Sequence, residues 1–468
     1  MGNNQKTPAR AVNDEVWDEE ARRQARILKA FFGTAKHYFG GFGRLLKAVS
    51  DPRDPDWITY PLAGLLFTGV WMFACQLGSR RQIQAKLRGN SRSEAKFEAL
   101  FGVESIPHGD SLNYGFKRLE AEEMQEAVCR MIEALIRKKV LYPWRLLKHY
   151  YLVAIDGTGM LTFGERHCEY CLTRKLNNGT TLYYHPVLEA KLVTANGFAF
   201  SLMTEFIENR DPEASKQDCE LKAFYRLAER LKKRFPRLPI CLLLDGLFAG
   251  GPTLERCERY GWKYLIVLTD DDLPTVNQEF EALCQIAPDN RLQLELGKKK
   301  EIEQAYRWMD EIAYVDTQGK EHQVSVLECL ETKAGDQGKR QTTKFKWLTN
   351  FAPSIRTVSL LANEGGRLRW KIENEGFNAQ KNGGFELEHA YSQDETAAKV
   401  FYFLLQIAHI LFQLVEKGSL FRQAFPNGVG SLKNIAFRLL EAWRNLRLST
   451  KGFLSLFNGR FQIRFDSS

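Results

Sequence analysis

The segment Tyr151–Gly159, YLVAIDGTG, places five mostly apolar residues directly before an aspartate and a glycine. A short apolar run bounded by turn residues is typical of a strand that is buried on both faces. The segment 240–246, ICLLLDG, repeats this pattern, so Asp156 and Asp245 each follow a predicted strand. Adjacent strands of a sheet lie about 4.8 Å apart. If these two strands are neighbours, both carboxylates emerge at the same edge of the sheet.

A pair of matched Asp-Gly sites favours a function over a turn. One Asp-Gly pair by itself indicates only a turn, because Asp and Gly are the usual turn residues. Two carboxylates at one sheet edge repel each other, and their pKa values separate unless a cation lies between them. Oxygen ligands suit Mg²⁺. The sequence therefore predicts a magnesium site at Asp156 and Asp245.

A third carboxylate is predicted on a helix around residues 367–380, within GGRLRWKIENEGFNAQKNGG at 365–384. Arg369 and Glu373 are four residues apart and share one helix face. Glu373 can complete the acidic cluster, and Arg369 can contact a phosphate. An ordinary surface salt bridge has the same spacing, but Trp370 beside it indicates that this face is not plain solvent surface.

The order of predicted elements is that of an α/β protein. Apolar strands are predicted at 151–155, 181–194 and 198–207, and Asn196-Gly197 is a strong hairpin signal. A helix at 213–235, a strand at 240–244, a helix at 251–261 and a strand at 262–268 follow. Continuously apolar strands alternating with helices favour central strands covered on both faces. Polar alternating strands within 275–350 predict a β-rich insertion, and residues 1–145 and 421–468 read as helical.

Composition narrows the class only a little. The chain has 468 residues and is 44% hydrophobic, which predicts a substantial core. A formal charge of +9 is compatible with a polyanionic partner and equally with a mildly basic enzyme. Nine cysteines, mostly single and in apolar contexts, favour a reducing cytoplasm. No glycine-rich Walker loop is present in the sequence, which disfavours an ATPase.

Two apolar segments have nearly the length of a membrane span. Leu62–Leu77 and Ala397–Glu416 are both interpreted as buried core helices, the second because Lys399 and Gln406 interrupt it. The N-terminus lacks an apolar segment, so no signal peptide is expected, and Lys6 makes myristoylation unexpected. No membrane partner is predicted.

A second metal site is a hypothesis that the residues after Asp156 suggest. Cys168 and Cys171 have CxxC spacing, His167 adjoins them, and His185 follows 14 residues beyond Cys171. A Cys2His2 structural Zn²⁺ would hold the long loop against the second strand. Two free thiols with unrelated histidines are the alternative. Of the two histidines, His185 is the better ligand candidate, because His167 directly adjoins Cys168 and would be a strained ligand.

As a set, the strand aspartates Asp156 and Asp245 and the helix glutamate Glu373 resemble the catalytic residues of bacterial cut-and-paste insertion-sequence transposases of the DDE type. That group carries a Tyr-x2-Arg-x3-Glu-x6-Lys signature, to which Arg369 and Glu373 correspond here. Gly366 stands at the Tyr position and Gln380 at the Lys position, with Lys381 one residue on. The resemblance spans roughly residues 100–415.

The resemblance implies a ribonuclease H-like catalytic core and two-metal phosphoryl transfer, with two Mg²⁺ ions (Mn²⁺ as a substitute) held by Asp156, Asp245 and Glu373. The implied partners are double-stranded DNA, as transposon-end inverted repeats and target DNA, and a second copy of the chain in a homodimeric synaptic complex. The location would be the bacterial cytoplasm, at the nucleoid. The residues expected to contact DNA are Arg369, Trp370, Lys371, Lys381, Arg80 and Arg81. For Arg80 and Arg81 the alternative is a solvated charged face.

The resulting division of the chain is a helical DNA-binding region at 1–145, the first part of the core at 146–274, the β-rich insertion at 275–350, the second part of the core with the Glu373 helix at 351–420, and a helical tail at 421–468.

Two other functions remain open: a metal-dependent nuclease of the same fold, and a domesticated DNA-binding protein. A glycosidase-like carboxylate pair is a remote alternative, because it needs an acid in an apolar pocket. Four further acids, Glu205, Glu208, Asp218 and Glu220, are interpreted as capping or helix-dipole residues.

Overall fold

The computed structural model describes residues 18–47, 49–210, 216–297, 301–334, 340–426, 428 and 430–465. The expectations for the extreme N-terminus, and for residues 213–215 of the helix predicted at 213–235, fall outside these residues. Residues 216–219 are not helical, and the helix begins at Glu220. The strands are β1 (Tyr151–Phe163), β2 (Leu172–Lys175), β3 (Thr181–Val193), β4 (Ala199–Phe206), β5 (Ile240–Leu244), β6 (Lys263–Val267), β7 (Arg291–Leu296), β8 (Ile302–Val315), β9 (Glu321–Ala334) and β10 (Arg340–Thr349).

The helices before the insertion are α1 (Glu19–Phe39), α2 (Phe42–Leu46), α3 (Leu62–Ala74), α4 (Arg81–Lys86), α5 (Ser91–Phe101), α6 (Gly109–Phe116), α7 (Ala121–Arg137), α8 (Glu220–Arg234) and α9 (Gly251–Tyr260). The later helices are α10 (Pro274–Ile286), α11 (Val358–Leu360), α12 (Ala379–Asn382), α13 (Glu395–Glu416), α14 (Ser419–Ala424), α15 (Leu432–Asn445) and α16 (Thr450–Ser455). Short 3₁₀ turns occupy Pro55–Trp57, Tyr142–Trp144 and Gly246–Phe248. Helices α11 and α12 are the two ends of one helical segment, 358–382, called the Glu373 helix below.

The strands form one ten-stranded mixed sheet, which confirms the predicted α/β class. Its order is β2-β3-β1-β5-β6-β10-β9-β8-β7, and β4 pairs with β3. Strands β1, β5 and β6 are parallel to one another, whereas β3 is antiparallel to β1. Strand β10 pairs antiparallel with β6, so the insertion strands continue the central sheet.

The central strands are apolar on both faces because each face is covered. In β1, Val153 and Ile155 belong to one core cluster, together with Phe224 and Leu227 of α8. Leu152 and Ala154 belong to the other, together with Ile372 of the Glu373 helix. Uninterrupted apolar runs follow directly from this two-sided burial.

Strand β1 does not end at Ile155, as the sequence analysis predicts, but continues to Phe163. Its parallel pairing with β5 stops at Ala154, opposite Leu243. Its antiparallel pairing with β3 continues, with Asp156 opposite Glu189. Asp156 therefore lies in a strand that has lost one neighbour and kept the other, and it is not a turn residue.

Two further elements differ from the prediction. The sequence from residue 107 to about 141 has the pattern of one long amphipathic helix with Asp110 or Ser111 as its N-cap, but it forms two helices, α6 and α7. His108 is the N-cap of α6, and its side chain accepts the Asp110 N–H. Helix α10 lies within the segment read as β-rich. Its buried residues Val276, Phe280 and Cys284 recur every four positions, a helical spacing that the polar composition obscured.

Helix α13 is buried along most of its length. It packs against α1, α3 and α7 and against β4. Within the described part of the chain it is the one helix long and apolar enough to cross a membrane, yet 94% of its most apolar window is buried in the protein. This burial confirms the interpretation of 397–416 as a core helix.

The first and last helices pack together. Helix α1 contacts α14 and α15, and the indole of Trp443 lies 4.7 Å from that of Trp71 and 5.9 Å from the ring of Phe32. The helical tail thereby shares an aromatic core with the N-terminal helices.

A buried polar network joins β3 to α13. The Lys191 ammonium donates to Glu189 at 2.9 Å, and both side chains are fully buried. Lys191 also donates to Gln406 at 3.0 Å, and Glu189 accepts from the Tyr402 hydroxyl at 2.7 Å. With these partners present, the two buried charges satisfy each other.

We expect Lys191→Met to destabilise the protein by about 3–5 kcal/mol, because it leaves the Glu189 carboxylate buried without its counter-ion. Urea unfolding followed by tryptophan fluorescence measures the effect. Arg340→Met is the matched control, since the Arg340–Glu303 pair is exposed, and it should cost less than about 1 kcal/mol. Equal effects for the two variants would contradict this account of the network.

Candidate active site

Asp156 and Glu373 are joined by one buried guanidinium. Arg369 donates through Nη1 to Asp156 Oδ2 at 3.3 Å and through Nη2 to Glu373 Oε1 at 2.8 Å. Only 6% of the Arg369 surface is exposed. The Arg369–Glu373 pair is therefore not an ordinary surface salt bridge, because it also contacts a carboxylate 213 positions away in the chain.

Asp245 emerges at the same sheet edge as Asp156. The last paired residues of the parallel strands β1 and β5 are Ala154 and Leu243. Each aspartate lies two residues beyond its own member of that pair. The Asp245 carboxylate accepts the Leu247 N–H at 3.0 Å and so caps the short turn that follows.

The carboxylates disturb each other's protonation. Burial raises the pKa of Asp156 to about 7; Arg369 opposes this shift, and the negative charges of Glu373 and Asp245 add to it. Burial also raises the pKa of Asp245, with further contributions from Glu373 and Asp272. One guanidinium does not balance this concentration of negative charge.

Both glycines of the Asp-Gly pairs allow another carboxylate to approach. A Cβ atom at Gly157 would overlap the Glu220 carboxylate, and a Cβ atom at Gly246 would overlap Asp272. Burial raises the pKa of Glu220, and the charge of Asp245 raises it further. Glu220 starts α8, as a helix-dipole residue would, but its side chain also belongs to this acidic edge.

Sequence reasoning missed Glu220 and Asp272 as members of the site. The available signal was the glycine after each aspartate, since a residue without a side chain lets another side chain approach the strand backbone closely. The sequence analysis interpreted Glu220 together with Glu205, Glu208 and Asp218 as capping or helix-dipole residues. The last three form ion pairs: Glu205 and Asp218 with Arg226, and Glu208 with Lys399.

The donor set fits a hard divalent cation. Mg²⁺ and Mn²⁺ prefer carboxylate oxygens, and Asp156, Asp245 and Glu373 supply only such atoms. Within the described residues, these three do not form a group whose ligand atoms all lie within 4.8 Å of one another. The Arg369 guanidinium lies between two of them, and its Nε is buried without a hydrogen-bond partner.

The Tyr position of the signature has no room for a side chain. A Cβ atom at Gly366 would overlap the indole of Trp347. Trp347 is a buried residue of β10 and lies opposite Val267 of β6. Trp347 thus fills the space beside the Glu373 helix at this position.

The Lys position is also explained by packing. Gln380 is fully buried and donates to Gln406 at 2.8 Å, which joins it to the Lys191–Glu189 network. The next residue, Lys381, reaches Glu388 at 2.7 Å. Glu388 Oε1 lies 3.9 Å from a Cβ position at Gly159, three residues after Asp156. Lys381 therefore lies beside β1.

The remaining predicted DNA contacts are distributed over two surfaces. Trp370 is 51% exposed, and Lys371 pairs with Glu375 at 2.5 Å. Arg80 donates to the Gly109 carbonyl at 3.1 Å. Arg80 and Arg81 line a cleft of about 740 Å³. The loop at 389–391, which follows the Glu373 helix in the chain, also lines this cleft.

The predicted zinc ligands divide into a compact group and one neighbour. Cys168 Sγ, Cys171 Sγ and His185 Nε2 all lie within 4.8 Å of one another and could hold a metal ion. His167 is outside this group, and its Nε2 donates to the Gln393 carbonyl at 2.8 Å.

Comparison with known proteins adds no family assignment: no family model matches the chain, and no curated protein matches it significantly.

In metal-free buffer with EDTA, we expect Asp156→Asn to stabilise the protein at pH 8. The folded-state pKa of Asp156 is raised from 3.8 to about 7, so the folded wild type binds this proton more tightly than the unfolded chain. Wild-type stability from this group is therefore full below about pH 4 and falls as the pH rises toward 7. The variant should exceed the wild type by at least about 1 kcal/mol at pH 8, since one pKa unit corresponds to about 1.4 kcal/mol.

Thermal unfolding of both proteins from pH 5 to pH 8 measures the difference, which should shrink at the acidic end. Asp289→Asn, a change at an exposed residue of the insertion, serves as the control and should leave stability unchanged. A variant that is less stable than the wild type at pH 8 would contradict the proposed crowding of charge.

We expect even the small change Gly366→Ala to destabilise the protein by about 1–3 kcal/mol, because the added methyl group overlaps the Trp347 indole. The control is Gly43→Ala in α2, where nothing lies within 4 Å of the added atom and helix propensity favours Ala. Chemical unfolding of both variants tests the contact. If Gly366→Ala unfolds with the same free energy as the wild type, Trp347 does not exclude a tyrosine side chain at position 366.

Proposed function

We propose that this protein is a DDE-type DNA transposase that cleaves transposon ends and joins them to target DNA by Mg²⁺-dependent phosphoryl transfer. One observation carries the proposal. Asp156 and Asp245 lie two residues beyond the last paired positions of adjacent parallel strands, and Arg369 links Asp156 to Glu373. These three carboxylates come from segments that are far apart in the chain and converge at one sheet edge.

The strand order supports a ribonuclease H-like core. Strands β4, β3, β1, β5 and β6 are neighbours in that order, with an antiparallel hairpin followed by parallel strands. This is the arrangement that the resemblance to DDE transposases implies. The Glu373 helix covers one face of these strands and α8 covers the other.

The metal-binding role falls to Asp156, Asp245 and Glu373, with Glu220 beside them. When bound, Mg²⁺ would supply activation of the attacking hydroxyl and stabilisation of the leaving oxygen. Mn²⁺ has the same ligand preference and is the expected substitute. The chain contributes the positions of the carboxylates, of which one lies in β1, one follows the neighbouring strand β5 and one lies on the Glu373 helix.

Arg369 has a second role toward DNA. Its guanidinium balances Asp156 and Glu373 in the structure, and its buried Nε has no partner. A cation at the carboxylates would release the guanidinium to donate to a DNA phosphate, which it can grip with two parallel bonds. Arg369 then orients the scissile phosphate.

The other contacts are proposed from exposure and charge. Trp370 offers an exposed ring for stacking next to the carboxylates. Lys371 and Lys381 pair with carboxylates and can exchange them for phosphates. Arg80 and Arg81 would hold duplex DNA in the cleft between the N-terminal helices and the loop at 389–391. A homodimer on paired ends, acting in the bacterial cytoplasm, is the assembly that the resemblance implies.

A metal-dependent nuclease is the second candidate, and one observation favours it. Gly366 and Gln380 stand where the resembling transposases have residues that grip the DNA end, and packing accounts for both. An enzyme that lacks those contacts can cut without joining. A domesticated DNA-binding protein would bind the same DNA without cutting it.

The DNA that flanks the gene supplies the first test. Inverted repeats bracketed by a short direct duplication are expected on either side, and they provide the substrate for later assays. Their absence, together with no Mg²⁺-dependent cleavage of any duplex, would contradict the transposase proposal. Cleavage without joining to a target plasmid would establish the nuclease instead.

We expect Asp156→Asn and Asp245→Asn each to reduce cleavage of a labelled duplex carrying the terminal repeat by about 10³-fold or more, as loss of a catalytic group does. Binding of the same duplex should persist in a gel-shift assay, because the basic contacts remain. Asp289→Asn is the matched charge control and should cleave at the wild-type rate. Retained cleavage by either site variant in Mg²⁺ would exclude these residues as the catalytic carboxylates.

A further inference from the structure

We infer that Cys168, Cys171, His185 and His167 bind one structural Zn²⁺ that fastens the sheet to the start of α13. The inference does not depend on the proposed function, because the site is formed by different residues. His185 lies opposite Leu161 in the β1–β3 ladder, five residues beyond Asp156. At about 3.3 Å per residue, this is roughly 17 Å along the strand from the carboxylates.

The distances among three ligand atoms fit a zinc ion. Tetrahedral bonds of about 2.3 Å to sulfur and 2.0 Å to nitrogen place two sulfurs roughly 3.8 Å apart, and sulfur and nitrogen roughly 3.5 Å apart. The two Sγ atoms are 3.6 Å apart, and His185 Nε2 lies 3.4 Å from Cys168 Sγ and 3.2 Å from Cys171 Sγ. All three atoms thus surround one point.

The two thiols are not a disulfide. Both cysteines are free, and their 3.6 Å separation far exceeds the length of an S–S bond, about 2.05 Å. The ligand set of two sulfurs and imidazole nitrogen is the kind that selects zinc over Mg²⁺, which prefers oxygen.

His167 is the fourth ligand that the geometry favours. Its Nε2 donates to the Gln393 carbonyl, so Nδ1 is the nitrogen with the free electron pair in the neutral ring. Histidines that bind zinc almost always donate their other N–H to a carbonyl or carboxylate in this way. The His167 ring centroid lies 6.4 Å from that of His185, at 87°, so the two imidazoles adjoin the same cavity beside Cys168.

The carboxylates at this position are already engaged. Glu395 pairs with Lys399 and Arg210, and Asp394 accepts the Ala397 N–H. A cavity of about 40 Å³ adjoins His167, Cys168 and His185 and is also lined by Glu208. The Glu208 carboxylate is bound by Lys399 at 2.7 Å and by Arg210 at 2.7 Å. His167, which has a free nitrogen, is therefore the better ligand.

The proposed site would connect three elements. Cys168 and Cys171 belong to the loop between β1 and β2, and His185 belongs to β3. Gln393, the partner of His167, directly precedes Asp394, which caps the N-terminus of α13. Loss of the metal should therefore weaken the attachment of this loop and of α13 to the sheet, without removing a catalytic carboxylate.

The test begins with zinc analysis of the full-length protein purified without added metal. We expect about one zinc per chain in the wild type, in Cys219→Ser, which alters an exposed cysteine, and in Asp156→Asn. Cys171→Ser and His185→Ala should lose it. A wild type without zinc that binds none on addition, or a Cys171→Ser variant that retains stoichiometric zinc, would overturn the site.

A measurement on the wild type alone covers the case in which the ligand variants fail to fold. In buffer with a constant excess of Mg²⁺, which keeps any carboxylate site filled, a zinc-selective chelator should lower the melting temperature by several degrees, and added zinc should restore it. A melting temperature that the chelator leaves unchanged would overturn the proposal.

Cobalt substitution tests the fourth ligand. Co²⁺ should show a thiolate charge-transfer band and the visible bands of a tetrahedral ion. His167→Ala should shift the visible bands and weaken zinc affinity at least about 10-fold. Mutating a residue that only hydrogen-bonds to a metal ligand already weakens metal affinity by about that factor. A spectrum and affinity identical to the wild type would exclude His167.

Discussion

Arg369 lies buried between Asp156 and Glu373 and joins a strand to a helix that is encoded more than 200 residues later. The rest of the site depends on this contact because it brings together carboxylates that would otherwise repel each other. The balance is incomplete, since the pKa of Asp156 remains raised to about 7 by burial and by its acidic neighbours. One guanidinium only partly neutralises this acidic edge, so a divalent cation bound there, as we propose, would lower the energy of the folded protein.

The Glu373 helix is held at this edge by close packing. Between α11 and α12 it contains two wide π turns, Leu361–Gly365 and Ile372–Asn378, and the second includes Glu373. Such turns are rare and occur frequently at functional sites. A Cβ atom at Gly365 would lie 2.6 Å from Leu265, and one at Gly376 would lie 3.1 Å from the Lys191 chain. The glycines allow the helix backbone to approach the sheet, and the Lys191 network fixes its far end through Gln380.

Much of this arrangement can be predicted from the sequence because it rests on local patterns. Continuous apolar runs predicted the parallel strands β1, β5 and β6, and the Asn196-Gly197 turn predicted the β3–β4 hairpin. The spacing of Arg369 and Glu373 predicted a shared helix face. The CxxC pair with His185 predicted the compact group of metal-ligand atoms.

Other features depend on contacts between distant segments, which local patterns do not contain. Strand β1 continues past Asp156 because β3 still pairs with it after β5 has ended. Gly366 and Gln380 differ from the Tyr and Lys of the transposase signature, and nothing in the sequence explains this difference. The structure does, because Trp347 packs against Gly366 and Gln380 belongs to the buried network. Glu220 reaches the acidic edge from a helix whose sequence indicates only a helix start. Helix α10 was hidden by the polar composition of the segment around it.

Localised cleavage of the protein by Fe²⁺ tests the central claim most directly. Iron that replaces Mg²⁺ generates hydroxyl radicals with ascorbate and peroxide, and these cut the backbone next to the bound metal. With DNA present, the account predicts fragments cut near residues 156, 245 and 373, and their suppression by excess Mg²⁺. Cuts confined to other parts of the chain, or a pattern that Asp156→Asn and Asp245→Asn leave unchanged, would show that these carboxylates do not form the metal site.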